Sequence, residues 1–118
     1  MTRQEAEQYR RLMGEIFMCK ENLAELEAEE KQWADYPETV KELEDTRAII
    51  QSRLDKCIRQ CDRFEKWLAG IANKQIQAFV FARYVEGLSW TQIAVDANMP
   101  TNTIQVKMRR YFAKEAEK

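Results

Sequence analysis

Asn102, Gln105, Val106, Arg109 and Arg110 follow one another at alternating steps of three and one, with Thr101 and Thr103 just ahead of or among them and Lys107 and Lys114 alongside. If Ile104 and Met108 face inward, a helical rotation of about 100° per residue turns Asn102, Gln105, Val106, Arg109 and Arg110 outward. Those groups suit the reading of a polyanion with base edges. The Asn102 and Gln105 amides can make paired hydrogen bonds to adenine, Arg109 can reach guanine O6 and N7 or a phosphate, and Val106 can touch a thymine methyl. Thr101, Thr103, Lys107, Arg110 and Lys114 carry hydroxyls and cations fitted to holding the phosphate backbone. An outward Val106 costs a little in water and favours an interface on that face.

The elements that must hold this set in place can be read from the residues before it. Ser89 is an N-cap candidate, since its hydroxyl can accept an orphan backbone N–H, and Ile93, Ala94 and Ala97 then share one face. Asn98 stands where that helix should stop, because Asn tolerates positive φ better than other side chains do. Pro100 fixes the entry dihedral of a second helix, with Thr101 available as its cap and Ile104, Met108, Tyr111 and Phe112 as its buried stripe. Two helices crossing steeply need a small residue at the contact, and Ala94 supplies it. The stretch Ser89 to Phe112 therefore reads as a helix-turn-helix.

Composition narrows the remaining choices. The 118 residues include only three Gly and two Pro, too few for a turn-rich β fold, so an all-α chain is expected. No apolar run approaches the ~20 residues of a membrane span, and the charged start Met1-Thr2-Arg3-Gln4-Glu5 is unlike a signal peptide. The expectation is a cytoplasmic protein with no membrane partner. The net charge of −1 conceals an asymmetry: Met1 to Gly70 holds 12 Lys/Arg against 16 Asp/Glu, and Ile71 to Lys118 holds 7 against 4. The basic part is the one suited to a polyanion. With no His, no nucleophile elbow and no Gly-rich phosphate loop, an enzyme is not expected. Cys19, Cys57 and Cys61 lack the fourth ligand of a structural zinc site and lie on apolar seams, so they read as buried small hydrophobes, with no metal and no cofactor.

Two long seams precede the basic part. Tyr9, Leu12, Ile16, Cys19, Leu23, Leu26, Glu30 and Trp33 step by three and four, and Val40, Leu43, Arg47, Ile50, Leu54, Cys57, Cys61, Phe64 and Leu68 do the same after Pro37. Two heptad helices of similar length joined by a short turn predict an antiparallel coiled-coil hairpin over residues 1–70. Its symmetric register would set Trp33 against Val40, Leu23 against Ile50, Ile16 against Cys57 and Tyr9 against Phe64. Glu30 and Arg47 interrupt the seams as an ion pair or as side chains that snorkel to its edge, the latter being commoner for long side chains. Met13 and Phe17 form a second apolar stripe that needs a third partner, either the C-terminal part or another subunit. Gly70 and Asn73 mark a stop and a cap, and a helix from about Lys74 to Glu86 follows, with Phe81 and Tyr84 expected in the core of a three-helix domain over residues 71–118.

The run Arg83-Tyr84-Val85-Glu86-Gly87-Leu88-Ser89-Trp90, then Ile93-Ala94, then Met99-Pro100-Thr101-Asn102-Thr103-Ile104, resembles region 4 of bacterial sigma factors. Gln92 stands where that module commonly has Glu, and Asn98 where it commonly has Gly. A Glu/Lys-rich hairpin ahead of such a module is similar to small phage and prophage proteins, including late-gene transcription activators. No segment here resembles the sigma part that binds core polymerase and melts promoters, so a complete sigma factor is not expected. The resemblance implies a promoter-like double-stranded DNA target, a transcriptional role and a contact with RNA polymerase. The hairpin would serve either that contact or dimerisation. Two other classes fit the same layout: a small terminase-like DNA-packaging subunit, and a helix-turn-helix module that binds no DNA.

Overall fold

The computed structural model describes residues 1–118 and is entirely helical. Six α-helices follow one another: α1 (Arg3–Glu7), α2 (Tyr9–Gln32), α3 (Pro37–Ala69), α4 (Lys74–Val80), α5 (Trp90–Ala97) and α6 (Thr101–Ala116). Between α4 and α5 the chain passes through a π-helical stretch, Phe81–Val85. No helix is long and apolar enough to cross a membrane.

The chain divides into two compact units, Met1–Arg10 with Asp62–Lys118, and Arg11–Cys61. The expected division at Gly70 marks the end of a helix and not the edge of a compact unit. Gly70 does close α3, its N–H donating to the Lys66 and Trp67 carbonyls. Trp67, lying over Phe112 at 5.9 Å between centroids, carries the first unit across that stop, and Tyr9 stacks on Phe64 at 4.4 Å within it. Short α1, which the seam pattern misses, belongs to this unit. Thr2 caps it by accepting from the Glu5 N–H at 3.1 Å, and Ala6 is wholly buried.

In the unit Arg11–Cys61 the seam positions turn inward as their period requires. Leu12, Ile16, Cys19, Leu54, Cys57 and Cys61 are buried, whereas Leu23, Leu26, Leu43 and Ile50 are half-buried, because two helices alone cannot surround a side chain. Glu15 pairs with Arg53 and accepts from Cys57, while Glu30 pairs with Arg47, so partners on α3 recede as α2 advances. The ion pair wins over snorkelling at Glu30: Arg47 Nη1 lies 3.1 Å from Oε2, and the other carboxylate oxygen is buried without a partner. At the turn Trp33 packs edge-on against Tyr36 at 5.4 Å and stays 40% exposed, so the ring is not seated in the seam. Pro37 opens α3, where its missing N–H costs nothing.

The unit that contains α4, α5 and α6 has its core in Ile71, Ile76, Phe79, Val80, Tyr84, Ile93, Ile104, Met108 and Phe112. Asn73 caps α4 by accepting from the Gln75 and Ile76 N–H groups at 3.0 and 3.2 Å. The expected single helix from Lys74 to Glu86 is α-helical only to Val80, after which the chain takes π turns, and about 100° per residue sets Phe81 away from the buried Ile76, Phe79 and Val80. Phe81 is 45% exposed, a correction to its expected place in the core, whereas Tyr84 is buried as expected.

Candidate nucleic-acid interface

Ser89 and Gln92 start α5 with a reciprocal pair of bonds. The Gln92 N–H donates to Ser89 Oγ at 3.1 Å, and the Ser89 N–H donates to Gln92 Oε1 at 3.1 Å. Gln92 is thus occupied by capping. Arg83 finds other partners: its guanidinium donates to the Leu88 carbonyl at 3.1 Å and sits 5.1 Å from the Trp90 ring centre. These bonds tie the start of α5 to the segment before it.

Asn98 ends α5 at φ 54°, ψ 47°, with its N–H directed to the Ala94 and Val95 carbonyls. Met99 also donates to the Ala94 carbonyl at 3.0 Å. This left-handed cap reverses the chain within Asn98-Met99-Pro100 and brings α6 against α5 beside Ala94, which is 4% exposed. Pro100 is the N-cap of α6 and Thr101 its first residue; the cap carries no side-chain bond, so Thr101 does not cap. Ile104, Met108 and Phe112 are buried, and Tyr111 is half-buried beside them.

Fixing that stripe inward sorts the nine candidate residues. Asn102, Gln105, Arg109, Arg110 and Lys114 are exposed, and Thr101, Thr103, Val106 and Lys107 are half-buried. Val106 is therefore less exposed than its outward position suggests. The set also separates into two flanks. Gln105 and Arg109 line a 210 Å³ groove with Arg3, Glu7, Arg83, Tyr84, Trp90 and Met108. Lys107, Arg110 and Lys114 line another of 210 Å³ with Asn73, Gln75, Ile76 and Tyr111. Lys107 Nζ donates to Gln75 Oε1 at 2.9 Å, which draws it toward α4.

The two flanks differ in charge. The groove beside Lys107, Arg110 and Lys114 contains cations and amides with no carboxylate, the composition a phosphate needs. In the groove beside Arg109, Glu7 offsets part of the positive charge and pairs with Arg3 at 3.5 Å. Arg3 is the lining residue that the sequence reading missed; Thr2 ahead of Glu5 was the signal that a helix begins there. Neutral groups back both flanks. Burial, helped by Glu7, pushes the Tyr84 hydroxyl up to about 12, and burial beside Glu115 raises Tyr111. For Glu115 burial acts upward, but hydrogen bonds from Lys118 and Trp67 outweigh it and hold the carboxyl below its ordinary value.

Elsewhere, burial and the bond to Glu15 raise the Cys57 thiol, which keeps it protonated and suited to packing. The same bond, followed by Arg53 and Arg11, lowers Glu15 against a smaller opposing effect of burial. No protein-family model, curated protein or solved structure matches the chain.

Proposed function

We propose that this chain is a sequence-specific DNA-binding transcriptional regulator of phage or prophage type. In this reading α5, the Asn98 turn and α6 form a helix-turn-helix of the sigma region 4 kind, and α6 enters a major groove. The observation that carries it is the face of α6. Asn102, Gln105 and Arg109 stand exposed along one flank of the buried Ile104, Met108 and Phe112, and Arg110 and Lys114 stand exposed toward the other. Amides and a guanidinium on one helical face can read base edges, and the carboxylate-free cationic flank can hold phosphate.

The charge available per chain is modest, so specific affinity requires two copies on paired half-sites. The residues Arg11 to Cys61 then supply an antiparallel coiled-coil hairpin for pairing subunits or meeting RNA polymerase, and the protein works in the cytoplasm. Selecting bound duplexes from a random pool tests the proposal. Enrichment of one motif by the wild type, lost in Asn102→Ala with Gln105→Ala, is the expected result. Equal retention of all duplexes, or an unchanged motif in that variant, contradicts base reading by this face.

A further inference from the structure

The groove beside Arg109 takes one wall from α1. Its charged lining residues are Arg3, Arg83, Arg109 and Glu7, three cations to one carboxylate. Arg83 is engaged by the Leu88 carbonyl at 3.1 Å and by the Trp90 ring. Arg3 is held much less firmly. Its partner is Glu7 at 3.5 Å, and the two side chains are 65% and 51% exposed, so the pair is weak in water and readily exchanged for another anion.

The backbone beneath Arg3 is fixed, which makes the place of that cation a property of the fold. Ala6 is wholly buried, Tyr9 stacks on Phe64 and donates to Glu65 Oε1 at 2.7 Å, and Glu5 pairs with Arg63 at 3.2 Å. The Arg10 guanidinium lies against Gly87, where φ is 76° and no Cβ would fit. These contacts dock α1 on the same compact unit as α6.

A helix in a major groove, about 12 Å wide, lies between two phosphate backbones and needs cations on both sides. On α6 the cations are unevenly placed. Lys107, Arg110 and Lys114 line one flank, whereas the other flank offers only Gln105 and Arg109, the residues suited to base edges. We infer that Arg3 is the phosphate contact of this second flank, so that α1 belongs to the DNA interface, and that Glu7 occupies Arg3 until a phosphate displaces it. The guanidinium fork then exchanges a carboxylate for a phosphodiester. The inference rests on the reading of α6 as a recognition helix and adds to it a contact from outside the helix-turn-helix.

Fluorescence anisotropy of the full chain with the selected duplex, across about 50–300 mM salt, tests it. Arg3→Ala should make the log–log slope shallower by about 1 per bound copy and weaken binding about three- to tenfold at the middle of that range. Its melting temperature and its enriched motif should match the wild type, because a phosphate contact carries no base information. Arg3→Lys should keep the wild-type slope, and Glu7→Gln should tighten binding about threefold. A slope unchanged in Arg3→Ala, or a complex no tighter in Glu7→Gln, overturns the inference, and with a salt-dependent wild type the proposed function then stands. An altered motif in Arg3→Ala also overturns it, since Arg3 would then be reading a base or ordering α6. A wild type that retains no duplex overturns both.

Discussion

At the scale of single residues, Asn98 and Tyr84 give the sharpest expectations. Asn98 holds the left-handed conformation on which the α5 to α6 reversal depends. Asn98→Val should destabilise the fold by about 1–2 kcal/mol, the cost of a branched L side chain at positive φ, while Asn98→Gly should be nearly neutral or stabilising. Urea unfolding of both variants measures the difference. Tyr84 has a folded pKa raised to about 12, so the folded state keeps a proton that the unfolded chain gives up at a lower pH. Its contribution to stability is therefore complete below the ordinary tyrosine range, near pH 10, and is lost as pH rises from there to about 12. Urea midpoints between pH 9 and 11.5 should fall more steeply for the wild type than for Tyr84→Phe; parallel curves would contradict the assignment.

At the scale of elements, the sequence carried most of the helical arrangement because its periods and caps are local signals. Cys19, Leu54, Cys57 and Cys61 are buried where the heptads put them, and Ser89, Asn98 and Asn73 punctuate the helices in the expected places. Signals that depend on distant partners were harder to read. Phe81 is the exception, since about 100° per residue already turns it well away from the buried Ile76, Phe79 and Val80. Lys107 lies half-buried because it reaches Gln75 on α4, which a helical wheel does not record. Arg3 escaped notice because α1 is only one turn long. For Glu30, choosing between a pair and a snorkelling side chain required knowing how far Arg47 could reach. The pair is 43% exposed on the Arg47 side, so its net value is small. Arg47→Ala should cost about 1–2 kcal/mol by leaving the Glu30 carboxylate half-buried and alone. Replacing both by Leu should be neutral or stabilising, and thermal unfolding of the three proteins decides this.

At the scale of the whole molecule, the proposed DNA binding turns on charge and copy number. Residues from Ile71 onward hold 7 cations against 4 anions, and the preceding 70 residues hold 12 against 16. Under the proposed function, the acidic residues oppose DNA binding unless the basic face is presented in more than one copy, so affinity should depend on protein concentration as well as on salt. The salt dependence of duplex binding is the most direct measurement of the central claim. Fluorescence anisotropy with the selected duplex, repeated across 50–300 mM salt, should give a log–log slope of about −4 to −8 for two copies, each neutralising a few phosphates. Arg110→Ala with Lys114→Ala should make that slope shallower by about 2–4, because two cations per copy are removed. An affinity indifferent to salt, or a slope unchanged in that variant, would contradict DNA recognition through α6.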